Sequence, residues 1–456
     1  MRRNIWTTGL CVMGLAWAAL AQEGTGETSP ASQEEIERLR EVIMEEQQII
    51  AECMKRIDKL EATKASQDKA GINNVKLFGD FRYRYDYIHQ DPERLVNGVR
   101  APFVGPDTES SRGRHRLRLR LGAQYIVNDE ISVTAQVGTA MGGDNVSYNQ
   151  TLTGGYSKKD LWLDLAYFEY KPLKAAGLTL QGGKIKVPYY TPCKTQLVWD
   201  HDLTPEGLAL SYLREDFDPW TFNAVAGYFI VDERSVDYDA QMFGLQGTVK
   251  YNLMDEGRAS IMGGLSYYDY LNTEGYPPFF NNTDNFSNSL NLAVLSGLTN
   301  SGFYANDFNL IEGLTELTFP LGSLPVTAFG NYVINTEADD EYYDTDRGED
   351  GWALGMQLGK CVTPQSWSMR YEYRVVGRNA VIGAFTDSDF GAGGTNAKGH
   401  IVSADYMAFK NTRLALTYFI NDTEGSDWIR LIPTWGGREK VDGKYQRLQL
   451  DANFKF

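Results

Sequence analysis

The stretch Arg112-Gly113-Arg114-His115-Arg116-Leu117-Arg118-Leu119-Arg120-Leu121-Gly122-Ala123-Gln124-Tyr125-Ile126-Val127 decides the fold. Its side chains alternate with period two. Leu117, Leu119, Leu121, Ala123, Tyr125 and Val127 share one face, and Arg114, Arg116, Arg118, Arg120 and Gln124 share the other. Period two is the signature of a β-strand. Arg112 continues the basic face, so five guanidinium groups stand ~6–7 Å apart along one strand, from the strand rise. Arginine does not lose its charge, and in lipid it costs ~2–4 kcal/mol at mid-depth. The five must therefore face water, and the opposite face is apolar.

The same pattern extends outward in both directions. Val75, Leu77, Phe81, Tyr83, Tyr85 and Tyr87 oppose Lys76, Asp80, Arg82, Arg84 and Asp86. At the far end Leu448, Leu450, Ala452, Phe454 and Phe456 oppose Arg447, Gln449, Asp451, Asn453 and Lys455. These runs exceed the ~5–6 residues of a common globular strand and match the ~9–11 of a tilted membrane strand. A soluble sandwich also alternates, with its apolar face inward. A membrane barrel turns the apolar face to lipid and the charged face to its lumen.

Connection lengths favour the barrel. Strands are expected at about 75–88, 113–127, 131–141, 160–170, 178–187, 205–214, 219–231, 241–252, 258–270, 305–318, 325–336, 350–359, 367–378, 398–409, 412–422 and 443–456. That is sixteen, and the gaps tend to alternate long and short, as external loops and periplasmic turns do. No proline falls inside an expected strand, where it would break the ladder. The expected fold is an all-β transmembrane barrel over 75–456 with both ends at the periplasmic side.

Composition agrees. The 456 residues include 45 Gly and 27 Tyr, and 44 Lys+Arg against 60 Asp+Glu give a net charge of −16, which argues against a general nucleic-acid binder. A mean hydropathy of −0.38 does not fit a bundle of membrane helices. At the start, Arg2 and Arg3, the apolar run Ile5–Leu20 and Ala19-Leu20-Ala21 read as a signal peptide over 1–21. Losing those two arginines takes −16 to −18.

A polar linker, 22–31, precedes a heptad pattern over 32–70. Ile36, Ile43, Ile50 and Ile57 fall at a, and Leu39, Glu46, Cys53 and Leu60 at d. This is a periplasmic coiled coil of about four heptads, the alternative being an amphipathic helix packed on its own chain. The apolar seam Ile36, Leu39, Ile43, Ile50, Cys53, Ile57 and Leu60 predicts self-association.

The three cysteines after the signal peptide, Cys53, Cys193 and Cys361, have no disulfide or CxxC spacing. His89, His115, His201 and His400 show no metal-ligand spacing. No metal, cofactor or catalytic set is expected. A lipase or protease needs a third group orienting a histidine, and none is evident. The loop Glu337–Asp350 holds eight acids and one arginine; its misplaced glycine does not fit an EF-hand, so it reads as a solvated external loop.

At this point the chain resembles the bacterial outer-membrane porins, most of all the "putative porin" group and more distantly the phosphate-selective porins. The residues carrying the resemblance are Arg112–Arg120, Leu163-Asp164-Leu165-Ala166-Tyr167-Phe168, Gly182-Gly183-Lys184-Ile185-Lys186-Val187-Pro188, Trp199-Asp200, Pro205-Glu206-Gly207-Leu208 and Phe454-Lys455-Phe456. The resemblance implies a sixteen-stranded barrel, usually trimeric, with the third external loop folded into the pore. It also implies that the terminal strand, with Phe454 and Phe456, is read by the barrel-assembly machinery.

The pore is expected to have a basic wall of Arg82, Arg84, Arg112, Arg114, Arg116, Arg118, Arg120, Lys184 and Lys186, which would attract anions. The alternative is a solvated wall paired with Asp80, Asp86 and Asp164. The connection after Pro188 carries Tyr189, Tyr190, Trp199, Asp200 and Asp202, with Glu206 just beyond, and is the constriction candidate. Acids there, opposite the basic wall, would set up a transverse field. The functional reading is a channel for passive diffusion of small hydrophilic solutes with weak anion preference. The other reading is a structural anchor in outer-membrane lipid whose coiled coil tethers the cell wall.

Overall fold

The computed structural model describes residues 74–456 except 97–98, 103–109, 255–256, 281–285, 292–301, 339–346, 424–428 and 432–437, and before them only Arg38, Val42, Met44, Ile49, Ile50 and 52–56. The chain divides into two units, Met1–Asn73 and Asn74–Phe456. The expected signal peptide, the linker and most of the coiled coil lie outside the described residues. Of the seam, only Ile50 and Cys53 are described; both are helical and exposed. No described helix is long and apolar enough to cross a membrane.

Asn74–Phe456 is built on sixteen long strands. They are β1 (Val75–Val96), β2 (Ser110–Ile126), β3 (Ile131–Thr139), β4 (Leu161–Tyr170), β5 (Leu178–Lys184), β6 (Glu206–Phe217), β7 (Trp220–Asp232) and β8 (Ala240–Asn252). They continue with β9 (Ser260–Leu271), β10 (Phe308–Leu321), β11 (Leu324–Asn335), β12 (Asp350–Gly359), β13 (Trp367–Val376), β14 (Ala397–Phe409), β15 (Thr412–Thr423) and β16 (Arg438–Lys455). Each pairs antiparallel with the next, and β16 pairs with β1 from Asp80↔Lys455 to Arg94↔Val441, closing the barrel. Closure removes the free edges that an open sheet exposes. The strand count and the alternation of long loops with short turns match the reading of the sequence.

β1 and β16 run further than alternation predicts, from the expected 75–88 to Val96 and from 443 back to Arg438. They pair with each other past the alternating region, to Arg94↔Val441, so the ladder between them carries the extension.

The parity of β2 is confirmed. Arg116 is buried in the lumen, while Leu121 is 42% exposed on the outside. Leu77, Leu245, Leu265, Leu354, Leu450 and Phe456 are likewise exposed, an outward apolar belt of the kind a membrane covers.

The apolar core lies inside the barrel, which alternation alone does not show. Four long connections build or flank it: L2 (140–160), L3 (185–205), L5 (272–307) and L7 (377–396). Ile185, Leu197, Trp199 and Leu203 of L3 pack with Phe279 of L5, Ile382, Phe385 and Phe390 of L7, and Phe229, Met242, Tyr268 and Tyr270 of the wall. Trp199 stacks on Tyr189 (ring centroids 5.7 Å) and Phe385 (6.2 Å) and meets Tyr268 edge-on (5.2 Å). Each such side chain contributes roughly 1.5–3 kcal/mol on full burial, enough to hold irregular backbone within a polar lumen.

Candidate functional site: a loop-crossed lumen with a basic wall

L3 leaves the wall at Gly183. This residue sits at φ +123°, and a Cβ there would lie 2.2 Å from the Ala166 carbonyl oxygen. It faces Gly207 across the ladder, where a Cβ would meet the Tyr228 oxygen at 2.1 Å. The two glycines let the β5 and β6 backbones approach their neighbours as the chain turns inward. Ile185 N–H to Pro205 O, 2.9 Å, closes the neck of the loop.

L3 then crosses the lumen. The Tyr190 N–H donates to Gln246 Oε1 on β8 (2.6 Å), and the Cys193 N–H donates to Glu316 on β10. The Thr195 hydroxyl donates to Glu372 on β13 (3.1 Å). The loop returns so that Asp202 lies 3.5 Å from Arg118 and 3.7 Å from Arg120 on β2. β2 and β10 stand half a circuit apart among the sixteen strands, so L3 spans the pore from wall to wall.

L7 joins it. The Asp200 N–H donates to the Phe385 oxygen (2.7 Å), and its carboxylate accepts from the Ser388 N–H (3.0 Å). Asp389 accepts from Gln449 (2.9 Å) and pairs with Arg447 (2.7 Å) and Arg84 (3.3 Å). Asp387 pairs with Arg374 (2.8 Å). Burial raises the Asp200 carboxyl well above its ordinary range, helped by the nearby Asp202 and Asp387 charges. Burial also outweighs the Arg374 charge at Asp387 and raises it. At Asp389 burial acts the same way, but Arg447 and Arg84 overcome it and hold the carboxyl low.

The basic wall is a lattice of ion pairs. Register places Arg82 opposite Arg118 and Arg84 opposite Arg116, like charges facing each other. Such pairs are unfavourable without interleaved acids. Asp80 pairs with Arg118 (2.9 Å) and Arg120 (2.7 Å), Asp86 with Arg114 and Arg447 (both 2.7 Å), and Asp451 with Arg84 (2.7 Å). Asp164 does not join them; it accepts hydrogen bonds from Gln136 and Tyr148.

Two guanidinium groups are under-partnered. Arg82 donates to Asn149 Oδ1 (2.6 Å), with no carboxylate within 4.0 Å among the described residues. Arg116 donates to the Asn149 carbonyl (3.0 Å) and lies 3.9 Å from Asp86. Both Nε atoms are buried without an acceptor.

The structure brings Arg82, Arg84, Arg114, Arg116, Arg118 and Arg120 together on one wall. Arg112 and Lys186 are exposed, and Lys184 pairs with Glu206 (2.9 Å). Glu206 opens β6 at the wall rather than standing on the loop. Tyr189 and Trp199 belong to the aromatic core, whereas Tyr190 is 38% exposed. Phe454 and Phe456 point outward, 40% and 61% exposed.

Sequence reading did not single out as site residues Asn149, Arg447, Asp387 and Asp389 on this side, Glu312 and Glu316 on β10 across the lumen, or Glu372 on β13. Inward parity had marked Arg447, but nothing local marks a loop that folds in at Asp387-Ser388-Asp389. Among the described residues no group of three His, Cys, Asp or Glu could hold a metal ion.

Among solved structures, the chain is similar to the outer membrane channel DcaP of Acinetobacter baumannii (14% identity, TM-score 0.41, covering 84% of this chain and 97% of that one). It is similar to an anion-selective porin from Comamonas acidovorans (13%, TM-score 0.43, 84% and 99%) and to Pseudomonas putida OprB (9%, TM-score 0.47, 86% and 96%). At such scores these likenesses carry no functional weight. No curated protein matches the chain. A family model described as "putative porin" matches residues 15–294 and 316–425. The match takes in β1 through β9 and runs from within β10 through β15, and on it the chain belongs to the putative porin family.

Proposed function

We propose that the protein is an outer-membrane channel for passive diffusion of small hydrophilic solutes, with a weak preference for anions. The observation that carries this reading is the charge balance of the β16–β1–β2 wall. Arg82, Arg84, Arg114, Arg116, Arg118, Arg120 and Arg447 meet Asp80, Asp86, Asp202, Asp389 and Asp451, seven positive charges against five negative. Ions are sorted where the pore is narrow, because fields fade beyond a Debye length of ~8 Å. The net charge of −16 belongs to the whole chain and does not set selectivity at that level. Across the lumen Glu312 and Glu316 stand on β10, whereas Glu372 on β13 is neutralised by Arg370 and by Arg374 at 2.7 Å, so the transverse field that solutes cross is modest.

Residues 1–21 are removed on export, the Phe454/Phe456 strand is the signal for barrel assembly, and three copies associate. The test is the reversal potential of the full-length protein in planar bilayers across a tenfold KCl gradient. A modest potential of the sign set by chloride is expected; strong cation selectivity would sink the reading.

A further inference from the structure

Where L3 turns inward, the barrel wall is incomplete. The β4–β5 ladder ends at Ala166↔Lys184, yet β4 continues up to Leu161 with β3 alone as its partner. On the other side the β6–β7 ladder begins only at Glu206↔Ile230. A cavity of about 450 Å³ lies at this break, within the range of sites for small organic molecules. Trp162, Trp199, Tyr270 and Phe385 line it, and so does Asp164.

Asp164 is the informative residue. It is 4% exposed, and its carboxylate is held by two neutral donors, Gln136 and the Tyr148 hydroxyl. Among the described residues no lysine, arginine or histidine nitrogen lies within 4.0 Å of it. Lys184 lines the same cavity, but its ammonium is 2.9 Å from Glu206. Lys186 acts on Asp164 only from beyond 4.0 Å, so a cation that reaches the carboxylate gains a charge-assisted contact that its two neutral donors do not supply. The faces of Trp199 are taken by Tyr189 and Phe385, so the rings line the cavity as an apolar surface suited to the body of a ligand.

We propose that this cavity binds an organic cation with an aromatic or aliphatic body, its ammonium head on Asp164 and its body against Trp199 and Phe385. The site carries the charge opposite to that of the arginine wall, so it stands apart from pore selectivity and can be tested without any conductance measurement.

Isothermal titration calorimetry on the full-length protein in detergent compares benzyltrimethylammonium with benzenesulfonate, bodies of similar size and opposite charge. The ammonium is expected to bind saturably and the sulfonate at least tenfold more weakly. Asp164→Asn is expected to weaken the ammonium at least tenfold and to leave the sulfonate unchanged. Equal affinities for the two probes, no saturable ammonium binding, or an Asp164→Asn protein that binds the ammonium as well as the parent would each overturn the proposal. If Asp164→Asn does not fold, the ratio of the two probes on the parent protein decides alone.

Discussion

Arg82 and Arg84 sit two residues apart on the same face of β1 and have opposite electrostatic positions. Arg84 is bidentate to Asp451, both contacts 2.7 Å, and reaches Asp389. Arg82 has only a neutral amide oxygen. Removing one partner of a buried pair strands the other charge and costs roughly 3–5 kcal/mol. Removing an uncompensated charge costs little beyond one hydrogen bond, about 1 kcal/mol. Arg82→Ser is therefore expected to fold normally and to move the reversal potential toward cations. Arg84→Ser is expected to lower the unfolding midpoint clearly, read by heat-modified gel mobility. If the two variants behave alike in both assays, the distinction is wrong. Alternation was enough to put both arginines inside; which of them finds a carboxylate depended on β16 and L7, hundreds of residues away in the chain.

At the level of elements, the L3–L7 contact responds to pH. A carboxyl whose folded pKa stands above its ordinary value of 3.8 binds more protons folded than unfolded, so its docked form gains stability as pH falls from neutral. Asp200 and Asp387 are of this kind. Asp389 is the reverse: its docking contribution is present above 3.8 and is lost only as pH falls through its depressed pKa. Within 196–203 His201, lowered to about 4 by burial, acts the other way as pH falls from 7.5 to 5, so the raised carboxyls are read at 383–390. Amide exchange over 383–390, corrected for intrinsic rates, is therefore expected to be slower at pH 5 than at pH 7.5. Faster exchange at pH 5 would contradict the assignment. Segment 383–390 looks like an ordinary long loop in the sequence, whereas the inward course of 188–204 was expected from the porin resemblance. Their inward course follows from Trp199, Phe385 and Tyr268 sharing one core, a long-range contact that local periodicity does not report.

For the whole molecule, the expected assembly rests on the heptads of residues 32–70. Cys53 occupies a d position, where copies of one thiol would meet near the axis. Oxidation of the full-length protein is expected to give a covalent dimer on non-reducing gels, lost in Cys53→Ser, and native mass spectrometry is expected to report three copies. A monomer both with and without residues 32–70 would remove the seam from the account.

Strand number, the outward belt and the polar lumen follow from the sequence alone, because period-two alternation and connection length act within a few residues of each position. The family was legible for the same reason, in short motifs such as Gly182-Gly183-Lys184 at the exit of L3. The ion-pair lattice and the aromatic plug are tertiary. Asp86 meets Arg447 only because β16 closes on β1, and Asp389 reaches Arg84 only because L7 folds into the lumen. A charge's partner is set by distance in space, and the circuit of sixteen strands brings together residues that no local pattern connects.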